Sequence, residues 1–139
     1  MQLKDIMRQT VVTVSPESTI ADAAKQMSQS NIGCLIITNS GSVAGIITDR
    51  DISVRCVAEG HDPTECDVEH HMSSPVYSMD PGTDILQAAH MMTERQVKRL
   101  AVVEYNQLRG LVSFSDVAQA MDGPVHDLLT GVGAVRRIA

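Results

Sequence analysis

Two short stretches of this sequence place hydroxyl and carboxylate groups where they can hold an anion and a diol. Gly45 to Asp51 read GIITDRD, and 65 positions later Gly110 to Asp116 read GLVSFSD. In each, a glycine and two aliphatics lead to a hydroxyl residue, Thr48 or Ser113. An aspartate, Asp51 or Asp116, follows three residues on. At a strand-to-helix junction the first helical amides lack partners within the helix, and the positive end of its dipole faces outward. A hydroxyl beside such amides suits phosphate. A carboxylate in the first turn can accept hydrogen bonds from both hydroxyls of a ribose. The same residues have a plainer use, Thr48 and Ser113 as N-caps with the aspartates complementing the dipole. One copy alone does not separate these readings. Two copies on the same junction strengthen the first.

The elements that must position these groups are themselves repeated. Shifting the chain by 65 residues aligns Met7 with Met72 and holds without a gap to Cys56 and Met121, with ten of fifty pairs identical. VVTV (Val11–Val14) and VYSM (Val76–Met79) suit short strands, interrupted by Pro16 and Pro81. Ile20, Ala23, Ala24 and Met27 recur at helical spacing, as do Ile85, Ala88, Ala89 and Met92. Thr19 with Asp22, and Asp84 with Gln87, resemble capping boxes at the starts of these helices. CLIIT and VAGIIT, then RLAVV and LRGLVS, read as two hairpins joined through NSGS and EYNQ. A second helix is expected from about Asp49 and Ser115. The prediction is a mixed α/β fold, strand–helix–strand–strand–helix written twice, as a pseudo-twofold pair. Its expected parts are residues 1–60, a polar linker 61–71, a second repeat 72–122 and a tail 123–139.

Composition narrows the functions. Hydrophobic residues are 43% of 139, enough for a core, and apolar runs are too short to span a bilayer. The N-terminus lacks the apolar stretch of a signal peptide, so a cytoplasmic protein without membrane contact is expected. A net charge of −6 disfavours nucleic acid, whose phosphates need a basic surface. Tyr77, Tyr105 and Phe114 are the only aromatics, too few for a base-stacking platform.

Taken together, TVSPESTIADAAKQMSQSNIGCLIIT with GIITDRDI, and SMDPGTDILQAAHMMTERQVKRLAVV with GLVSFSDV, resemble the CBS-domain family over roughly residues 3–122. The likeness is to stand-alone proteins made of one CBS pair. It implies a non-enzymatic regulatory module, without a cofactor, that binds adenosine-type ligands: AMP, ADP, ATP or S-adenosylmethionine. It also implies a homodimer that signals to a protein partner the sequence does not identify. By the same resemblance each cleft draws on both repeats. One would use Ser113, Ser115, Asp116, Lys98 and Arg99 with Ser15, Thr19, Ile20 and Gly33. The other would use Thr48, Arg50 and Asp51 with Asp80, Asp84 and Ile85. Gly33 and Cys34 stand where Lys98 and Arg99 do, so the Asp116 cleft is expected to be the stronger for phosphate.

Three other readings stay open. Cys56, His61, Cys66, His70 and His71 lie within sixteen residues and are good zinc ligand types, although their spacing fits no standard finger. An interaction module without a nucleotide would share the same fold. Cys34 as a nucleophile lacks an evident His–Asp partner and is expected to be an unreactive buried thiol. The tail, LTGVGAVRRIA, has no helix-length apolar face and is expected to be mobile after about Gly131 or held by a second subunit.

Overall fold

The computed structural model describes residues 1–121, so the expectation for the tail falls outside the described residues. In chain order the elements are α1 (Leu3–Ile6), β1 (Thr13–Val14), α2 (Ile20–Ser30), β2 (Cys34–Asn39), β3 (Ser42–Thr48) and α3 (Asp49–Asp51). A π-helical stretch, Ile52–Val57, continues α3, and a 3-10 turn, Val68–His70, follows. Then come β4 (Ser78–Met79), α4 (Ile85–Arg95), β5 (Arg99–Glu104), β6 (Gln107–Ser113) and α5 (Phe114–Ala120). No helix among the described residues is long and apolar enough to cross a membrane.

The chain divides into two compact units. One is Thr10–Val76; the other joins Met1–Gln9 to the chain from Tyr77 onward. Each unit builds a three-stranded sheet of the same design. In the first, β1 runs parallel to β2 and β2 antiparallel to β3; in the second, β4, β5 and β6 repeat this order. Parallel neighbours need a crossover, and α2 and α4 supply it. The hairpin turns have two central residues at positive φ, Ser40 and Gly41 in one, Tyr105 and Asn106 in the other. That geometry matches the twist of the flanking strands.

Amphipathic spacing places each core. Ile20, Ala23 and Met27 of α2 pack with Leu35, Ile37 and Ile47; Ile85, Ala88 and Met92 of α4 pack with Leu100, Val102 and Val112. The fourth helical position behaves differently from the sequence expectation. Ala24 is exposed and Ala89 only half-buried, because they lie at the margin of the buried stripe. At the helix starts the side chains of Thr19 and Asp84 do cap, accepting from Asp22 N at 3.1 Å and Leu86 N at 2.8 Å. Neither forms the expected reciprocal box. The backbones of both cap residues instead bridge to segments distant in sequence, Thr19 to Asp67 and Asp84 to Gln2.

Those segments are the main addition to the sequence reading. Residues 61–71 do more than connect: Val68 is fully buried in the core of the Thr10–Val76 unit, where Cys66 and Met72 pack beside it. Leu3, 65 positions earlier, is fully buried in the other core, beside Ile6 and Met7. The hydrogen bonds repeat in the same register. Val68 N donates to Ser18 O and Ile20 N to Cys66 O, at 2.8 and 2.9 Å; Leu3 N donates to Thr83 O and Ile85 N to Met1 O, at 2.9 and 3.1 Å. The segment that precedes each repeat in sequence therefore completes the core of the other.

Candidate ligand site at the repeated strand-to-helix junction

β3 ends at Thr48 and β6 at Ser113 because extended backbone there turns directly into helix. Both residues are N-caps in extended conformation, with ψ of 164° and 162°. Each closes a reciprocal capping box with its aspartate. Asp51 N donates to Thr48 Oγ1 at 3.1 Å and Thr48 N donates to Asp51 Oδ2 at 3.0 Å. Asp116 N donates to Ser113 Oγ at 3.1 Å and Ser113 N to Asp116 Oδ2 at 2.8 Å. The capping reading is thus realised in both copies, and it occupies one carboxylate oxygen of each aspartate. The other oxygen faces an arginine at 3.8 Å, Asp51 Oδ1 to Arg55 Nε and Asp116 Oδ1 to Arg8 Nε. Both arginines are largely exposed although the carboxylates are not, and at 3.8 Å each contact is longer than a hydrogen bond. Oδ1 is therefore the oxygen that a ligand hydroxyl can claim at low cost.

The two junctions differ in charge and in amide supply. In the unit with Asp116, Arg99 opens β5 opposite Ser113, and Phe114 N donates to Lys98 O at 2.8 Å. Lys98, Arg99 and Arg8 thus belong to the same corner as Ser113, Ser115 and Asp116. In the unit with Asp51, Cys34 pairs with Thr48 and Asp49 N donates to Gly33 O at 3.0 Å. Asp49 then bends back. Its Oδ1 accepts the Arg50 amide at 2.8 Å, and its Oδ2 would stand 3.1 Å from a Cβ built on Gly33. Phe114 occupies the matching place in the other copy and offers no acceptor to the Ser115 amide. One junction thus fills its own amide with a carboxylate, while the other carries Lys98 and Arg99 where the first has Gly33 and Cys34.

The remaining expected residues lie at the turns after the first strands. Ser15 Oγ is 3.2 Å from Ser18 Oγ, Thr19 caps α2 and Ile20 is buried beneath it. In the other unit Asp80 accepts from Gly82 N at 2.8 Å, Asp84 caps α4 and Ile85 is buried. Two participants lie outside the sequence expectation. Arg8 sits in a segment whose pairing with β6 is non-local, an isolated bridge to Leu111. In sequence Asp49 reads as the start of a helix; its signal is a carboxylate where the other copy has Phe114.

The cysteines also sort themselves. Cys34 is half-buried rather than buried, whereas Cys56 is fully enclosed. Burial pushes the Cys56 thiol up from its ordinary value, and the neighbouring Cys66 adds to the rise. The structure brings Cys56, Cys66 and His71 together and leaves His70 apart, with Asp67 and Glu69.

Repeated strand–helix–hairpin units with capped, carboxylate-bearing helix starts define a tandem-repeat module. The CBS domain model matches residues 3–56 and 67–123, and the chain belongs to the CBS-domain family. It is 38% identical over 116 residues to the CBS domain-containing protein YhcV of Bacillus subtilis, covering 84% of this chain and 82% of that one. Hypoxic Response Protein I, solved with two coordinated zinc ions, matches with TM-score 0.77 and 30% identity over 88% of this chain and all of that one. A hexameric CBS-CP12 protein from bloom-forming cyanobacteria matches with TM-score 0.80 and 28% identity, covering 99% of this chain and 86% of that one. CBS pairs are in general regulatory ligand-binding modules rather than enzymes.

Proposed function

We propose that this protein is a regulatory sensor of an adenosine-containing ligand, an adenine nucleotide or S-adenosylmethionine, with its stronger site at Ser113, Ser115, Asp116, Lys98 and Arg99. The observation that carries the reading is the contrast between the two junctions. Among the described residues, a hydroxyl, an amide without a competing carboxylate and three cations belong to the corner of Asp116, and Asp116 Oδ1 meets a distant, exposed arginine. That set offers a phosphate its donors and a ribose its acceptor. At Asp51 the Asp49 carboxylate already occupies the place a phosphate would take. Thr48, Arg50 and Asp51 are the weaker set. By the family resemblance, Ser15, Thr19, Ile20 and Gly33 serve the Asp116 set, and Asp80, Asp84 and Ile85 the Asp51 set, in receiving the adenosine part. The sensor acts as a homodimer on a protein partner.

Calorimetric titration with AMP, ADP, ATP, S-adenosylmethionine and adenosine tests this. Binding of at least one phosphorylated adenosine more tightly than adenosine itself is the expected result. If no adenosine derivative binds, the protein is an interaction module without a nucleotide.

A further inference from the structure

We propose that Cys56, Cys66 and His71, closed by His61, form a zinc site that fastens the segment after the first repeat onto that repeat. The ligating atoms of Cys56, Cys66 and His71 all lie within 4.8 Å of one another. Zinc bonds of ~2.3 Å to sulfur and ~2.0 Å to nitrogen put tetrahedral ligand atoms about 3.5–3.8 Å apart, so closure requires side-chain movements of roughly 1 Å. All four residues belong to the Thr10–Val76 unit.

Three observations point to a metal rather than to incidental packing. First, His71 is the one buried polar or charged side chain among the described residues, at 7% exposure. Its Nδ1 lies 3.3 Å from the Asp67 carbonyl, the carbonyl–imidazole arrangement that orients metal-bound histidines and leaves Nε2 with its lone pair. Second, His61 adjoins the site, outside the 4.8 Å cluster of the other three. Its ring stands edge-on to that of His71 with centroids 5.3 Å apart, and its carbonyl lies 3.7 Å from Cys56 Sγ. Third, the internal repeat supplies a control. Positions 65 residues from Cys56, Cys66 and His71 hold Met121, Met1 and Ile6. None of these three is a thiol or an imidazole, and only Ile6 packs against the core of its unit, so the donors at Cys56, Cys66 and His71 are not a requirement of the repeated fold. Two thiolates and neutral imidazoles suit zinc, and four protein ligands make a structural site with no open position for catalysis. Loading releases the two thiol protons to solvent.

The full-length protein is reduced with a phosphine, loaded with zinc or cobalt(II) chloride and desalted, and bound metal is measured by elemental analysis. One zinc per chain is expected in the wild type and in Cys34→Ser, and none in the Cys56→Ser/Cys66→Ser double variant. The cobalt form of the wild type is expected to show an intense sulfur-to-metal band in the near ultraviolet and strong tetrahedral visible bands. This readout does not depend on any variant folding. In His61→Ala the sulfur band persists while the visible bands move as water replaces imidazole. Less than half an equivalent of zinc in the wild type, zinc retained by the double variant, or a weak octahedral cobalt spectrum without a sulfur band would overturn the proposal. Unchanged visible bands in His61→Ala would remove His61 from it.

Discussion

A Cβ placed on Gly110 would stand 2.8 Å from the Met7 sulfur and 2.8 Å from the Arg8 carbonyl oxygen, so the glycine of the repeated heptad is the surface on which the N-terminal segment lies. Gly45 meets Met72 in the same way, with the Ser73 carbonyl 3.0 Å from its virtual Cβ. Both glycines pair beside a register shift in their hairpins, Gly45 opposite Ile37 and Gly110 opposite Val102. The heptad thus combines two devices, a glycine that admits a distant segment and a capped helix start.

Alanine at either glycine is expected to destabilise the fold by about 1–3 kcal/mol through overpacking. The rescue should differ. At Gly45 the closest obstruction is the flexible Met72 side chain, so Met72→Ala combined with Gly45→Ala should recover part of the loss. At Gly110 backbone is as close as sulfur, so Met7→Ala should recover little. Denaturant unfolding of both double-mutant cycles measures this; equal rescue in the two would show that main-chain clash is not the limit.

The repeat and its helical stripes were legible because 3.6-residue periodicity and a gapless 65-residue register survive in residue types, as at Ile20/Ile85 and Met27/Met92. The segments that complete each core were not. Val68 is a single apolar residue between charged ones, and the apolar set Leu3, Ile6 and Met7 is too short to announce a helix, so only a three-dimensional partner reveals their burial. The capping residues Thr48 and Ser113 were readable from their spacing to the aspartates. Arg8 was not, since it reaches Asp116 through a pairing across most of the chain. Cys56, Cys66 and His71 have an irregular spacing, and they meet only because the backbone after Cys56 folds back to bridge Thr19.

Leu3 is the first residue of α1 yet is fully enclosed in the second core, whereas Leu86 is 62% exposed within the same unit. Leu3→Ala should cost about 2–4 kcal/mol, the range for an enclosed leucine, and Leu86→Ala well under 1 kcal/mol. Amide exchange should localise the damage from Leu3→Ala to α4, β5 and β6. A near-neutral Leu3→Ala would mean that the N-terminal segment is not part of that core.

Asp116 serves both its capping box and, in the proposed site, the ribose. Asn at this position retains an acceptor for the Ser113 amide but exchanges an anionic oxygen for an amide donor. Asp116→Asn should therefore keep most of the melting temperature while weakening AMP by roughly 10- to 100-fold, the worth of about 1.5–3 kcal/mol for a hydrogen bond to a charged group. Arg99→Ala should weaken AMP more than adenosine. Calorimetry on the three proteins checks both, and a wild-type affinity in Asp116→Asn would place the ribose elsewhere.

The last prediction concerns the weaker junction and asks whether Asp49 is the reason for its weakness. Its Oδ1 holds the Arg50 amide at 2.8 Å and its Oδ2 lies against Gly33, the position that matches Lys98. Asp49→Ala frees that amide and removes a negative charge, while the box between Thr48 and Asp51 stays intact. Asp49 is exposed, and losing a favourable charge in the first helical turn should cost the fold about 0.3–1 kcal/mol. Against that small loss, affinity for a phosphorylated adenosine at this junction should rise by roughly three- to tenfold, since an anion gains one amide donor and loses one repelling carboxylate. Titration of AMP into Asp49→Ala in the Asp116→Asn background isolates the effect, because the stronger site is then weakened. A gain for AMP without a gain for adenosine would assign it to the phosphate. No gain for either would mean that the first junction is weak for want of the cations at Gly33 and Cys34, and Gly33→Lys should then restore what Asp49→Ala does not.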